Sequence, residues 1–496
     1  MEKILKSYVE KFNRDDNECY KQSIDNSHAE EWMKENIPLI DVPDKTIEEI
    51  YYFRWWVFRK HIKETEDGYM ITEFLPPVRW GGTHNTIIAA AGHHLSEGKW
   101  LKNAKKYIED YVLLWLEEKS KTYLYSSWLL YALFEYCTHI NDYSFGIKNL
   151  DLLVNYYETK SREHMTESGL FWSIDNFDAM EVSISGTNEE LKRNKGIRPT
   201  LNSYMAANAL AIWKFAELAE KADIARKYKA EYERLKKRIT DVLWDGEFYK
   251  AIHTEDEDID NPSVDKIPPM RNAKELIGYI PWCFNLPPKG FEKAFEELKN
   301  EDGFKCQYGL TTAEQRHPRF LYKHRPTCEC LWNGYIWPYA TCQTLNAVRN
   351  VIDNYEQDVV DDGDYFEMLR TYAESQYIIL EDGTKRCWID EVKDPRTNKW
   401  SSRELLESFG WKEEEGGFER GKDYNHSTLC DNVLKGLLGI RSEKGEISVV
   451  PHIPEEWEYF AVDNLWVEGK KYKITYDRNG EKYGYGKGLK IHRGEN

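Results

Sequence analysis

Amphipathic helices separated by aromatic connections constrain this sequence more than any other feature. The stretch "DIARKYKAEYERLKKRITDVLW" carries apolar side chains at steps of three and four, namely Ile224, Tyr228, Tyr232, Leu235, Ile239 and Val242. Similar patterns cover residues 45–62, 101–117, 124–139, 204–220 and 362–379. Because each apolar face must be buried against a neighbour, the sequence predicts an all-α body of paired helices.

The end of the chain follows another pattern. After about residue 445, short β-rich runs alternate, and "DRNGEK" contains the Asn-Gly pair typical of a tight hairpin turn. This segment is too short to form a domain of its own. We therefore expect a helical body over residues 1–445 and a small β-rich tail over residues 446–496 that packs on it.

Charge and composition limit the partners. The chain has 68 Lys and Arg against 86 Asp and Glu, a net charge of −18, and no basic stripe, which argues against nucleic acid as a partner. Its 18 tryptophans and 33 tyrosines are typical of chains that line sugar-binding surfaces as well as cores. The first twenty residues lack the apolar segment of a signal peptide, and no run is long enough to span a membrane, so we expect a cytoplasmic protein without a membrane partner. The sequence does not indicate an oligomeric state.

Metal and cofactor motifs are missing from the sequence. The nine cysteines are scattered, and "TCEC" lacks the spacing of a zinc site. His93 and His94 are adjacent, and neighbours on a helix point in different directions. GxSxG, Walker A, HExxH and Rossmann glycine patterns do not occur. We predict neither a metal nor a cofactor.

Two loops offer carboxyl groups for chemistry. "GLFWSIDNFDAMEVS" has Asp175, Asp178 and Glu181 among aromatic residues, which would remove a carboxyl from water and keep it protonated as a general acid. The alternative is that Asp175 or Asp178 caps a helix beginning at "AMEVS". "RCWIDEVKDPRTNKW" offers Glu391, with Asp390 and Asp394 as neighbours, and the alternative is a solvated loop charge.

Other loops are predicted to form walls. "LWNGYIWPYAT" places Trp332 and Trp337 around Asn333, a surface for stacking and hydrogen bonding or else a pair of core tryptophans. "DYNHST" places His426 just before an apolar helix, where a structural histidine is an equal alternative.

Together these motifs resemble the six-hairpin glycosidases, in the branch with mannosylglycerate and glucosylglycerate hydrolases, glycoside hydrolase family 63 and trehalases. "SIDN" (173–176) is similar to the acid loop, "WNGYIWP" (332–338) to the Trp-Arg-Gly-Pro-Ile-Trp motif, and "EVKDPRTNKW" (391–400) to the base loop. "DYNHSTLCDNVLKGLLGIR" (423–441) and the β tail resemble the end of bacterial proteins of this branch.

The resemblance implies an (α/α)6 toroid, an inverting mechanism, Asp175 as general acid and Glu391 as general base. It selects Asp175 over Asp178 because Asn176 follows it. Asp178 and Glu181 are then binding or structural groups. The substrate-binding residues that we expect are Glu73, Arg79, Trp80, Trp172, Asn176, Arg198, Asn202, Trp332, Asn333, Trp337 and His426.

Departures from the family pattern concern the substrate. Ser173 and Ile174 stand where relatives often have a glycine, Asn333 and Tyr335 replace arginine and proline, and Val392 replaces an aromatic residue. The favoured hypothesis is an exo-acting hydrolase of a small, α-linked oligosaccharide or glycoside. The alternatives are an epimerase or lyase using His426 with Tyr424, a phosphorylase, or a catalytically silent sugar-binding protein.

Overall fold

The computed structural model describes residues 1–186, 195–253, 269–322, 330–409 and 420–494. Helices dominate the described part of the chain. They are α1 (Glu2–Arg14), α2 (Ala29–Asn36), α3 (Lys45–His61), α4 (Ala91–Gly98), α5 (Ala104–Leu116), α6 (Leu129–Ile140), α7 (Ser144–Lys148), α8 (Leu150–His164), α9 (Pro199–Leu218), α10 (Ala222–Leu243), α11 (Ile280–Cys283), α12 (Pro338–Asn354), α13 (Asp362–Glu374) and α14 (Ser401–Phe409).

The helices form two concentric rings. The inner ring runs α4, α6, α9, α11, α12 and the π-helical turn Asn432–Leu437, and successive members contact each other. The outer ring runs α5, α8, α10, the 3-10 helix Glu292–Leu298, α13 and α3. Glu97 of α4 closes the inner ring, because its carboxylate accepts hydrogen bonds from the backbone N–H groups of residues 429–431. The predicted (α/α)6 toroid is confirmed.

The pair α9 and α10 shows why the rings form. α9 is rich in alanine and apolar residues and is buried over most of its length, as an inner helix must be. α10 is charged except for one buried stripe that includes Tyr228, Leu235 and Ile239, and this stripe packs against α9. The amphipathic pattern of α10 therefore specifies an outer helix. In the same way, α1 covers the outer face of α3, which is buried almost throughout.

The strands are short except near the end of the chain. They are β1 (Leu39–Asp41), β2 (Ile62–Thr65), β3 (Gly68–Ile71), β4 (Trp172–Ser173), β5 (Gly196–Ile197), β6 (Ile252–His253), β7 (Lys305–Cys306), β8 (Gly309–Leu310), β9 (Tyr377–Ile379), β10 (Lys385–Cys387), β11 (Ile440–Glu443), β12 (Glu446–Val449), β13 (Tyr459–Val467), β14 (Lys470–Asp477) and β15 (Gly488–Arg493).

The C-terminal strands form a sheet with the order β1–β13–β14–β15, with Leu39 opposite Asp463. The hairpin β11–β12 begins at Ile440, a few residues before the boundary expected from the sequence. The tight Asn-Gly hairpin predicted at "DRNGEK" is wrong, because residues 478–487 form a longer connection in which Asp477 accepts backbone hydrogen bonds from Gly480 and Lys482. The β appendage thus also uses a strand from the beginning of the chain.

Across the described ranges, no helix is both long and apolar enough to cross a membrane.

Candidate active site

Five loops meet at the end of the toroid where the inner helices begin. We call them the early loop (residues 72–85), the acid loop (171–186), the tryptophan loop (330–337), the base loop (388–400) and the C-terminal loop (420–427). Arg198 and Trp337 are the N-cap residues of α9 and α12. Since helix N-termini carry partial positive charge, this end of the toroid favours carboxylates and developing negative charge.

Backbone hydrogen bonds join these loops in one series. They run from Trp332 N to Glu181 O at 3.1 Å, between Ile336 and Lys393 in both directions at 2.9 Å, from Asp423 N to Ile389 O at 3.1 Å, and from Asn425 N to Glu73 O at 3.0 Å. Segments separated by hundreds of residues are therefore held in a fixed arrangement. The acid, tryptophan and base motifs and "DYNHST" all belong to this one end of the fold.

The acid loop is a single tight turn rather than a helix start. Residues Asp175–Asp178 form one 3-10 turn, and Ala179 and Val182 then adopt the left-handed conformation, with φ of 57° and 62°. Residues in the left-handed conformation terminate a helix, so no helix continues through "AMEVS". The alternative that Asp175 or Asp178 caps a helix there is wrong.

Asp175 is fully buried at the start of this turn. Its Oδ1 accepts a hydrogen bond from Asn176 N at 2.9 Å, and its Oδ2 lies 3.4 Å from Ser183 Oγ. Gly186 passes so close that a Cβ there would lie 2.4 Å from the Asp175 Cβ. The backbone therefore fixes the direction of this carboxyl group.

Asp178 is held by three donors. Its Oδ1 accepts from the hydroxyls of Ser126 at 2.8 Å and Ser173 at 3.1 Å, and its Oδ2 from Arg198 Nε at 2.6 Å. Both members of the ion pair are buried. Although burial alone would lower the pKa of Arg198, the carboxylates of Asp178, Glu275 and Asp175 raise it. Asp178 is therefore built as the fixed counterion of Arg198.

The variant Asp178→Asn is expected to lower the free energy of unfolding by roughly 3–5 kcal/mol, because it leaves the Arg198 guanidinium buried without its ion-pair partner. Urea unfolding followed by circular dichroism measures this difference. Glu181→Gln in the same loop is the control, since Glu181 is partly exposed and its contact with Asn176 Nδ2 is long, at 3.3 Å. Equal stability of the two variants would contradict the counterion role.

Glu391 is the buried carboxylate of the base loop. Both of its oxygens lie 3.3 Å from Arg420 Nη2, and both side chains are buried. The Arg420 guanidinium also stacks over the Trp80 ring at 4.8 Å. A guanidinium beside a buried carboxylate favours the ionised form, which burial disfavours. Arg420 is thus the buried counterion of Glu391.

The neighbours of Glu391 have other tasks. Asp390 Oδ1 accepts hydrogen bonds from Glu391 N and Ser402 Oγ, each at 2.8 Å, which orients the loop. Asp394 Oδ1 accepts from the backbone N–H groups of Arg396 and Thr397 and shapes the following turn. Both aspartates are thus used to build the base loop.

Glu73 lies in the early loop beside this pair. The Tyr424 hydroxyl donates a hydrogen bond to its Oε1, while no group among the described residues hydrogen-bonds to its buried Oε2. Burial, together with the nearby charge of Glu391, raises the pKa of Glu73 to about 8. Glu73 is therefore a neutral carboxyl at pH 7, with an O–H group to donate.

The two tryptophans are packed on each other. The rings of Trp332 and Trp337 stack at 4.4 Å, both are 3% exposed, and Trp337 Nε1 donates to Leu331 O at 2.8 Å. Asn333 is buried, with its Nδ2 donating to Tyr322 O at 3.0 Å. They form a rigid wall whose ring faces are largely covered by protein.

His426 stands between this wall and the early loop. Its ring lies 6.1 Å from Trp337 and 3.7 Å from Tyr424, and burial holds its pKa well below the usual range. Within the part of the chain that the structure describes, neither ring nitrogen has a hydrogen-bond partner. A neutral imidazole of this kind offers one donor and one acceptor to a ligand.

The other predicted binding residues lie at different depths. Trp172 and Asn176 are partly exposed on the acid loop, and Lys195 Nζ lies 4.2 Å from the centre of the Trp172 ring. Arg79 is exposed on the early loop. The amide of Asn202 is used by backbone, because it accepts from Phe171 N and donates to Phe171 O and Arg198 O. Its contacts are those of a support for the acid loop.

Sequence reasoning missed two charged residues of the site. Arg420, the partner of Glu391, lies three residues before "DYNHST". Extending that motif by three residues toward the N-terminus would have included it. Glu275 accepts from Ile184 N, Ser185 N and Ser185 Oγ, and burial raises its pKa. No local pattern in "AKELIGY" marks Glu275, because its partners lie about 90 residues away in the sequence.

The family model for the mannosylglycerate hydrolase MGH1-like glycoside hydrolase domain matches residues 83–427. None of the curated proteins matches the sequence. A solved structure described as "Sialidase" is 37% identical over 99% of this chain with a TM-score of 0.87, and the chain spans 43% of that protein's length.

Two further structures are similar in fold. The GH63 mannosylglycerate hydrolase from Thermus thermophilus, in complex with glucose, is 12% identical, with a TM-score of 0.51 over 78% of this chain and 99% of that one. The GH78 rhamnosidase of Bacillus sp. GL1 is 12% identical, with a TM-score of 0.57 over 92% of this chain and 41% of that one.

Proposed function

Because the chain belongs to the mannosylglycerate hydrolase MGH1-like glycoside hydrolase family, we propose that its five-loop site removes a terminal neutral sugar from a small α-linked oligosaccharide or glycoside. The observation that carries the proposal is the pair of buried carboxyls, Asp175 and Glu391, on loops that hydrogen bonds lock together. Action on a chain end is part of this proposal. The α linkage rests on the motif resemblance to trehalases and mannosylglycerate hydrolases.

The proposed reaction is a single displacement by water. Asp175 donates its proton to the glycosidic oxygen as the bond from that oxygen to the anomeric carbon breaks. Glu391 accepts a proton from the water that attacks the anomeric carbon on the opposite face. The products are the free sugar with inverted configuration and the alcohol. Asp175 then regains a proton from solvent, and Glu391 releases one to solvent.

Two buried arginines at the site are each paired with a carboxylate, and this supports a neutral sugar. The Arg198 guanidinium pairs with Asp178, and that of Arg420 pairs with Glu391. Binding of an acidic sugar normally requires arginines whose charge is available to its carboxylate. Donors and acceptors suited to sugar hydroxyls come from Glu73 and His426.

A panel of glycosides tests this function. Neutral α- and β-glycosides and natural disaccharides are incubated with the full chain, and released monosaccharide is measured with and without phosphate. Hydrolysis of an α-linked substrate from its non-reducing end, without phosphate, is the expected result. Cleavage that requires phosphate would identify a phosphorylase, and absence of release across the panel would contradict hydrolysis.

Glu73 is expected to set the alkaline limit of activity. Its pKa of about 8 means that the neutral donor is lost as pH rises through 8, where its charge also repels that of Glu391. We therefore expect kcat/KM to fall above pH 8. In Glu73→Gln, which stays neutral and keeps a donor, this fall should disappear. The test is to measure kcat/KM against pH for wild type and for Glu73→Gln. An unchanged fall above pH 8 in the variant would contradict the assignment of this fall to Glu73.

Stability gives a second measurement of the same group. Between its ordinary value of 4.5 and about 8, Glu73 is protonated in the folded state and ionised in the unfolded chain. The folded state then binds more protons, so stability decreases as pH rises through this window. The melting temperature of wild type should fall relative to that of Glu73→Gln from pH 5 to 8.

A further inference from the structure

A cavity opens near the toroid axis at the end opposite the five loops. Its volume is about 540 Å³, within the range of roughly 300–1,000 Å³ typical of small-molecule sites. Lys99 follows the end of α4, Phe284 and Asn285 follow α11, and Asp353 lies near the end of α12. The cavity therefore lies where the inner helices end, and we call it the axial cavity.

One wall is a polar face of α12. Gln343, Asn346, Asn350 and Asp353 lie at steps of three and four, so their side chains share one face of this inner helix. The opposite walls carry aromatic rings, namely Trp128, Tyr131, Tyr204 and Phe284. Side-chain amides can hydrogen-bond to hydroxyl groups, and aromatic rings can pack on C–H surfaces. This combination suits sugars and polyols.

Two buried polar atoms of the wall have no partner among the described residues. Gln343 donates from Nε2 to Tyr204 Oη at 2.7 Å, but its Oε1 accepts no hydrogen bond. His93 contacts Cys342 Sγ through Nδ1, and its Nε2 has no hydrogen bond. The two residues are 4% and 2% exposed. A buried polar atom costs free energy unless it is paired, so both atoms favour a hydrogen-bonding ligand.

Most charged side chains of the wall are paired. Lys99 pairs with Asp431 at 2.8 Å, Lys435 with Glu135 at 3.2 Å, and both Arg349 and Arg441 with Asp353. The ends of the inner helices add partial negative charge, which disfavours an anion. A neutral ligand avoids breaking these pairs.

We propose that the axial cavity binds one small neutral polyhydroxyl compound, a monosaccharide or polyol. Its hydroxyls donate to Gln343 Oε1 and exchange hydrogen bonds with the amide of Asn346 and with His93 Nε2. Its C–H face packs on the ring of Trp128. None of the residues that line the cavity belongs to the five loops of the candidate active site. The binding site is therefore separate from the proposed catalysis and does not depend on it.

Calorimetric titration of the full chain tests the proposal with three matched probes, glucose, glucuronate and glucosamine, and with glycerol as the smallest polyol. We expect saturable binding of glucose or glycerol in the millimolar range, with glucuronate and glucosamine at least tenfold weaker. The double variant Asp175→Asn/Glu391→Gln should retain this binding of glucose or glycerol. Absence of binding by every neutral probe, or tighter binding of a charged probe, would overturn the proposal.

Filling the cavity provides the decisive variant. Asn346→Trp places a large ring in the cavity from a partly exposed position on α12. It should weaken binding of glucose or glycerol at least tenfold. Leu218→Trp adds the same ring at an exposed position of α9 outside the cavity and should change nothing. If Asn346→Trp does not fold, Gln343→Met removes the acceptor instead, with the same expected loss. Undiminished binding in the folded cavity variant would overturn the proposal.

Discussion

Replacing Asp175 with asparagine is expected to lower kcat about 10²–10⁴-fold on glycosides with poor leaving groups, the usual contribution of a general acid. Asparagine has the same shape, and its carbonyl oxygen can still accept from Asn176 N, so the acid loop keeps its conformation. Only the proton for the glycosidic oxygen is lost. Kinetics with a series of aryl glycosides of decreasing leaving-group pKa should therefore show a loss that shrinks as the leaving group improves.

The control for this experiment lies in the same loop. Glu181→Gln also removes one carboxylate, yet Glu181 is partly exposed and should leave most of the turnover intact. A loss in Asp175→Asn that is the same for good and poor leaving groups would contradict the acid role. Full activity in that variant together with inactivity of His426→Ala would favour an epimerase or lyase.

Replacing Glu391 with glutamine is expected to lower kcat by a similar factor of about 10²–10⁴. Here the loss should not depend on the leaving group, because every substrate requires a proton to be removed from the attacking water. The same kinetic series measures it. Glutamine also leaves the buried Arg420 guanidinium without its carboxylate, so a lower melting temperature is expected as well.

Asp394→Asn is the matched control for the base loop. Asp394 is three residues from Glu391, and its carboxylate accepts hydrogen bonds from the backbone N–H groups of Arg396 and Thr397 within the turn. It should remain active, since an asparagine oxygen can accept the same bonds. Loss of activity in Asp394→Asn with retention in Glu391→Gln would move the base to the other carboxylate.

Local patterns predict the helical body because each amphipathic stripe requires a partner. The stripe of α10 and the small residues of α9 specify outer and inner positions without any knowledge of the ring. The pattern over 362–379 predicts too long a helix, since the helix ends at Glu374 and Tyr377–Ile379 becomes a strand. β1 is too short to be recognised, and its partner β13 lies more than 400 residues away.

The site was predictable as a set of loops but not as a set of contacts. The motifs identified Asp175 and Glu391 as candidates, and the structure places both in one cluster of loops. The counterion role of Asp178 depends on Arg198, and the neutral state of Glu73 depends on burial and on the nearby charge of Glu391. Such pairings arise from tertiary packing between distant segments, which sequence spacing does not record.

The stereochemistry of the first-formed product tests the central claim most directly. Proton NMR of the wild-type reaction, recorded before the released sugar mutarotates, distinguishes the two anomers. If Glu391 activates the attacking water and Asp175 protonates the leaving group on the opposite face, the first product has the anomeric configuration opposite to that of the substrate. First appearance of the anomer with the substrate's own configuration would contradict the account.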